Sequence, residues 1–296
     1  MVKKREFDFI DEHEQVIVIY HKVFPVYIVK GEKNFLIDSG ATAKAEQLHT
    51  AVNRALAGGS IHSLLLTHSH WDHTGSASYL QEKYGFDIYA SRRAVMLLQK
   101  PKVIDVIRQM NQDYKKTVND TSEIPVNMPE NLNPLVEGDK IRVDSDSYFQ
   151  VIETPGHTKC SVSYLLHPRG ILFPGDAAGL REQDGSIKPI FLSSFNEYVQ
   201  SQQKLIALDA EVLAFPHNTV IKGKDKVKEY LRKSLERTHE VKDKILTLLK
   251  KGQEIPVIAE TVYMQEFPGP TLLGPKESMI ANFEAIVKAV EKEFGS

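Results

Sequence analysis

Near the start of the chain the apolar, β-branched and aromatic residues fall into three short runs, QVIVIY at 15–20, PVYIVK at 25–30 and NFLID at 34–38. Breaks at His21 to Phe24 and Gly31 to Lys33 separate them, which predicts a β-meander. The period then changes. Over residues 42–57, Ala45, Leu48, Val52, Ala55 and Leu56 recur at helical spacing, with Thr42 to cap the helix and Gly58-Gly59 to stop it. Ile61 to Thr67 reads as a short strand.

Further strands are predicted at Phe86 to Ala90, Lys140 to Val143, Phe149 to Glu153, Ser161 to Leu166 and Gly170 to Phe173. Helical spacing marks 75–84, 91–119 and 195–208, the middle one broken near Pro101 because proline cannot donate to the helix ladder. Strands and helices mix in both halves, as in sheets flanked by helices. After Gly223 the texture changes: Val227, Tyr230, Leu231, Leu235, Val241, Ile245 and Leu248 share one helical face, and a second helix carries Met279, Ile280, Phe283, Ile286, Val287 and Val290. EFPGPTLLGP, residues 266–275, is too rich in Pro and Gly to be regular. The predicted division is therefore a mixed α/β domain over 1–223 and a helical appendage over 224–296 that packs on it.

Composition narrows the function. A chain of 296 residues with 42% hydrophobic content can bury a large core. The 37 Lys and Arg against 39 Asp and Glu leave no excess charge for nucleic-acid phosphates or an anionic membrane, so the expected partner is a small-molecule substrate, with a homodimer left open. Cys160 is the single cysteine, which forms no internal disulfide. The N-terminal MVKKREFDFIDEHEQ lacks an apolar run of signal-peptide length, and a cytoplasmic setting is the default expectation.

The chemistry concentrates in Thr67-His68-Ser69-His70-Trp71-Asp72-His73, which follows a predicted strand and precedes a helix. Four side chains of ligand type crowd one loop, and imidazole with carboxylate suits zinc, iron or manganese. Taken singly, His157 and His217 read as polar loop residues and Asp176 as a turn former after Gly175.

HSHWDH resembles the signature of the metallo-β-lactamase superfamily. Thr154-Pro155-Gly156-His157-Thr158, Gly175-Asp176, and His217 within FPHNTVIKGK match its later motifs in order. The resemblance implies an α/β fold, a four-layer αββα sandwich with the metals at one edge, here followed by the C-terminal helical appendage. It also implies two divalent transition-metal ions, zinc foremost, with iron or manganese as alternatives. His68, His70 and His157 would hold one, Asp72, His73 and His217 the other, and Asp176 would bridge them. Pro216 and Asn218 flank His217 where relatives commonly have glycine on both sides. Asp38, in LIDSG, resembles the family's buried aspartate and would accept the free N–H of a ligand histidine; the plain alternative is a turn aspartate capping the next helix. Cys160 reads as a small core residue.

The implied reaction is hydrolysis by a metal-bridging hydroxide of a small acyl substrate, a thioester or ester, with Asp72 as the catalytic residue that orients the nucleophile. The hydroxyacylglutathione hydrolases and the quinolone-signal-response thioesterases are the types it is most similar to. In both, C-terminal helices help to enclose the substrate, so Phe267 and Leu272 are expected at the pocket. A lactonase or phosphodiesterase, an iron-dependent sulfur dioxygenase and a regulatory binding protein with incidental hydrolysis stay open as alternatives.

Overall fold

Alternation along the first strands decides which way each side chain faces. In the computed structural model, which describes residues 7–11, 14–19, 24–182, 184–217, 220–267 and 275–295, Val16, Val18, Tyr27, Val29, Phe35 and Ile37 point to one side, and Ile17, Ile19, Val26, Ile28 and Leu36 to the other. Both sets are buried, so this sheet is covered on both faces.

It has seven strands in chain order: Phe7–Phe9, Val16–Ile19, Val26–Val29, Phe35–Ile37, Ser63–Leu65, Asp87–Ser91 and Leu132–Leu135. The first four pair antiparallel and the remainder parallel. A second sheet of six strands runs Val220–Lys222, Val212–Ala214, Ile171–Phe173, Val162–His167, Tyr148–Glu153 and Lys140–Arg142. The two inner faces meet through edge-on aromatic pairs, Tyr27 with Phe173 at 5.4 Å and Phe35 with Phe149 at 5.5 Å between ring centroids.

Outside the first sheet, Leu48, Val52, Leu80, Ile104 and Ile107 of the helices Ala45–Ala55, Ala77–Tyr84 and Pro101–Thr117 close one core. Outside the second, Leu165, Leu172 and Leu213 pack on Leu205, Val227 and Leu231 of the helices Phe195–Ala207 and Lys224–Lys250. Helix, sheet, sheet, helix is the αββα order implied by the sequence motifs.

The C-terminal part holds one element more than the apolar pattern predicts. Between Lys224–Lys250 and Lys276–Phe294 stands a third helix, Ile255–Glu266. Its Ile258 and Val262 join Phe283, Ile286 and Val290 against Val241 and Ile245, and the same cluster takes in Phe191, Phe195 and Tyr198 of the αββα core. Each such buried side chain contributes roughly 1.5–3 kcal/mol. No helix among the described residues is long and apolar enough to cross a membrane.

The parallel register places the chemistry. Ile37, Leu65 and Tyr89 are lateral partners, so the chain leaves three neighbouring strands at one edge, by way of Asp38, Thr67–His73 and Ser91–Arg93. Outside the carboxyl ends of parallel strands is where open α/β sheets bind ligands.

Candidate metal centre

His68, His70, His157 and Asp176 bring one ligand atom each within 4.8 Å of one another, and Asp72, His73 and His217 form a second such group. All seven residues named from the sequence thus converge. Asp176 faces both groups: its Oδ2 lies 3.1 Å from His157 Nε2 and 3.9 Å from His68 Nε2, while its Oδ1 lies 3.2 Å from His217 Nε2 and 3.6 Å from His73 Nε2. Asp72 Oδ2 sits 3.7 Å from His73 Nε2 and 3.8 Å from His217 Nε2.

The rings are aimed from behind. Asp38 accepts the Thr67 amide on Oδ1, and the Thr67 hydroxyl and His73 Nδ1–H on Oδ2, each at 2.8 Å. A carboxylate only accepts, so this bond fixes the proton on Nδ1 and turns Nε2 toward the centre. Asp38 holds a left-handed backbone, φ 55°, costly for a residue with a Cβ and retained where the surroundings impose it. His157 Nδ1–H donates to the Ile190 carbonyl at 2.6 Å. His217 Nδ1 is buried with no hydrogen-bond partner among the described residues.

Burial holds the imidazoles of His68, His70 and His157 below the ordinary histidine range, which keeps them neutral as ligands must be. His73 goes the other way: burial alone would lower it, but the carboxylates of Asp38, Asp72 and Asp176 outweigh that and raise it to about 10. For Asp176, burial favours the neutral acid, and the imidazoles of His157, His217 and His73 overcome it and hold the carboxyl well below its usual range.

The residues fit a metal. His68 Nε2 and His73 Nε2 are buried without a hydrogen-bond partner among the described residues, a cost of about 1–3 kcal/mol each that a cation would remove. The donor set, imidazole nitrogen and carboxylate oxygen, is the one zinc, iron and manganese accept.

Several supporting residues carry no sequence signal. Asn111, 1% exposed on Pro101–Thr117, accepts the Thr42 amide at 2.7 Å and donates to the Trp71 carbonyl at 3.3 Å, tying the segment after Asp38 to the ligand loop. Tyr114, one turn on, presses against Trp71 and Phe24, and Phe24 meets His217 edge-on at 5.4 Å. Tyr198 donates to the Asp176 carbonyl at 3.1 Å, and Gly156 has φ 127° where a Cβ would overlap the Tyr198 backbone, which explains glycine before His157. Cys160 is buried in the core beneath Ser69. Of the two residues expected at the pocket, Phe267 is 6% exposed, its ring stacked on Tyr263 and edge-on to Phe283 inside the helical pack. Leu272 lies outside the described residues.

Comparison with known proteins agrees with this geometry. YobT of Bacillus subtilis, an uncharacterised protein, is 29% identical over 220 residues, covering 70% of this chain and 89% of its own. The hydroxyacylglutathione hydrolase GloC of Haemophilus influenzae is 28% identical over 114 residues, 38% of this chain and 48% of GloC. The crystal structure of a metallo-beta-lactamase family protein from Thermus thermophilus superposes with a TM-score of 0.69 at 19% identity, over 95% of this chain and 94% of that one. The sequence profile of the Metallo-beta-lactamase superfamily matches residues 22–217, more than half of the chain and every residue of the two ligand groups. The chain therefore belongs to the metallo-beta-lactamase superfamily.

Proposed function

We propose that the protein is a dinuclear metal-dependent hydrolase of a small acyl substrate, a thioester or ester. The observation that carries this reading is Asp176, whose two carboxylate oxygens face different ligand groups at 3.1 and 3.2 Å. One carboxylate placed between two sets of imidazoles is an arrangement for holding two cations side by side. His68, His70 and His157 would hold one ion, Asp72, His73 and His217 the other.

Two such ions supply a strong nucleophile from water at neutral pH and polarise the bond under attack. The chain's own residues do the rest. Asp38 and the Ile190 carbonyl fix His73 and His157, so the ligand geometry precedes substrate binding. Asp72, with 13% of its side chain exposed where the other carboxylate of the centre has 6%, is the acid best placed to orient the attacking water and take its proton. Similarity to GloC, named a hydroxyacylglutathione hydrolase, supports the acyl thioester within this class. Zinc is the expected metal, because imidazole nitrogen and carboxylate oxygen are the ligands it takes in catalytic sites.

The test is a metal-analysed preparation assayed against thioesters, esters, lactones and phosphodiesters. Two metals per chain and thioester turnover that chelator abolishes are expected. A metal-free protein that remains active would overturn the reading.

A further inference from the structure

The strand that precedes Arg92 and Arg93 pairs with the one that leads into the ligand loop, and its exit is tied to the His157 loop by the Ser91 hydroxyl, which donates to the Cys160 carbonyl at 2.6 Å. Lys159 stands two residues after His157 in that same loop. Together they line a groove of about 410 Å³, within the range of small-molecule sites, whose lining includes Cys160, itself 3.4 Å from the hydroxyl of Ser69 in the ligand loop. Met96, 58% exposed, gives the groove an apolar wall.

Among the described residues the three cations have no ion-pair partner. Elsewhere on the surface, Arg108 pairs with Asp105, Lys116 with Asp113 and Arg142 with Glu32, whereas Arg92, Arg93 and Lys159 take part in no ion pair within 4.0 Å among the described residues. Glu153 and Glu197 also line the groove without neutralising them. Their negative charge matters for what can bind: a polyanion laid along the groove would meet both carboxylates, while one compact anion among the three cations need not. Guanidinium groups match a carboxylate or phosphate in shape, and the exposed methionine suits a short apolar chain leading to it.

We propose that this groove is a subsite for a single anionic group at the far end of the acyl substrate, bound by Arg92, Arg93 and Lys159. It deepens, and rests on, the acyl-hydrolase reading. The substrate class becomes an acyl ester or thioester with a terminal carboxylate or phosphate. The cations select through binding and leave the chemical step to the metal centre, so their removal changes KM for charged substrates alone.

The experiment uses the metal-loaded protein and half-thioesters of dicarboxylic acids from glutaryl to suberoyl, each matched with the monocarboxylic acyl group of the same length. The wild type should favour one charged member by about tenfold in kcat/KM, mostly through KM. The variant Arg92→Ala/Arg93→Ala/Lys159→Ala should lose that preference with metal content and turnover of the uncharged series unchanged. A phosphate-terminated acyl thioester of the favoured length distinguishes the two anions, and a stronger preference for it identifies a phosphate site. Equal KM for charged and uncharged acyl groups in the wild type overturns the proposal, as does inhibition of the wild type by single-stranded DNA more strongly than by suberate. Should the wild type hydrolyse none of these thioesters, the thioester reading fails by itself. Calorimetric titration of suberate then decides the groove: binding weakened in the variant supports the subsite, and equal binding in both proteins removes it.

Discussion

The metal edge and the C-terminal helices both bury charge, and they treat it in opposite ways. Among the helices, Glu266 is 3% exposed and saturated: Arg237 grips it at 2.8 and 3.1 Å, Lys244 stands at 3.4 Å and Lys188 at 3.9 Å. Nearby, Gln202 donates to the Ser234 hydroxyl and accepts from Thr238, while Ser234 donates to the Ala178 carbonyl. At the metal edge, His68 Nε2 and His73 Nε2 are equally buried and have no hydrogen-bond partner among the described residues. A polar group buried and satisfied holds a fold together; two bare imidazole nitrogens that face one carboxylate leave a place for a cation. The contrast separates structural from functional carboxylates, and substitutions can test it.

The largest effect is expected at Asp176. Asp176→Asn keeps the shape and removes the charge that faces both ligand groups, so metal content should fall and activity vanish. Two metals and full turnover in this variant would show that Asp176 is not the bridge. Asp38→Ala comes next. It removes the acceptor for His73 Nδ1 but no ligand, so metal affinity should weaken by about 10- to 100-fold, measured by competition with a chromophoric chelator. Unchanged affinity would reduce Asp38 to a turn residue.

The same contrast explains what could be read from the sequence. The crowded ligand-type side chains of HSHWDH stand out in the chain itself, His157, Asp176 and His217 only through the family's order of motifs, and the unbroken apolar, β-branched runs VIVI and VYIV expose the sheet. Satisfied structural groups leave a fainter mark: Asn111 is one asparagine on the buried face of its helix, in line with Ile104, Ile107 and Tyr114, and only folding brings it to Trp71. The helix Ile255–Glu266 escaped because IPVIAETVYMQE has apolar residues on most sides and offers no clear 3.6-residue stripe. Leu132–Leu135 escaped because Pro134 argues against a strand, and it is accommodated because this strand is the edge of its sheet.

Glu266 tests the satisfied side. Glu266→Gln leaves Arg237 and Lys188 without their carboxylate. Arg237 and Lys244 are about a third exposed, with side-chain exposures of 33% and 37%, and water screens part of the loss. The expected cost is about 1–3 kcal/mol in urea unfolding, with metal content and kcat unchanged. A variant of full stability that loses metal would place Glu266 on the functional side and break the distinction.

Asp120 should give the smallest effect, and a pH dependence of known sign. It lies outside the metal centre and is satisfied in the manner of Glu266: the Lys44 amide donates to Oδ2 at 3.0 Å, the Ser122 hydroxyl at 2.7 Å, and Lys44 Nζ lies 3.1 Å from Oδ1. Burial alone would raise its pKa; the bonds from Ser122 and Lys44 outweigh that and lower it to about 2. A folded-state pKa below the unfolded value means the ionised form stabilises the fold. That contribution is complete above about pH 4 and disappears as the pH falls through about 2. With Lys44 30% exposed, it amounts to about 1 kcal/mol. Asp120→Asn should therefore be less stable than the wild type by a constant margin from neutral pH down to about 5, and the margin should narrow below about 4. Both proteins are unfolded in urea in the presence of chelator, so that acid release of metal from the histidines does not enter the difference. A margin that persists undiminished into acid would mean that the carboxylate is held by shape alone, without its charge.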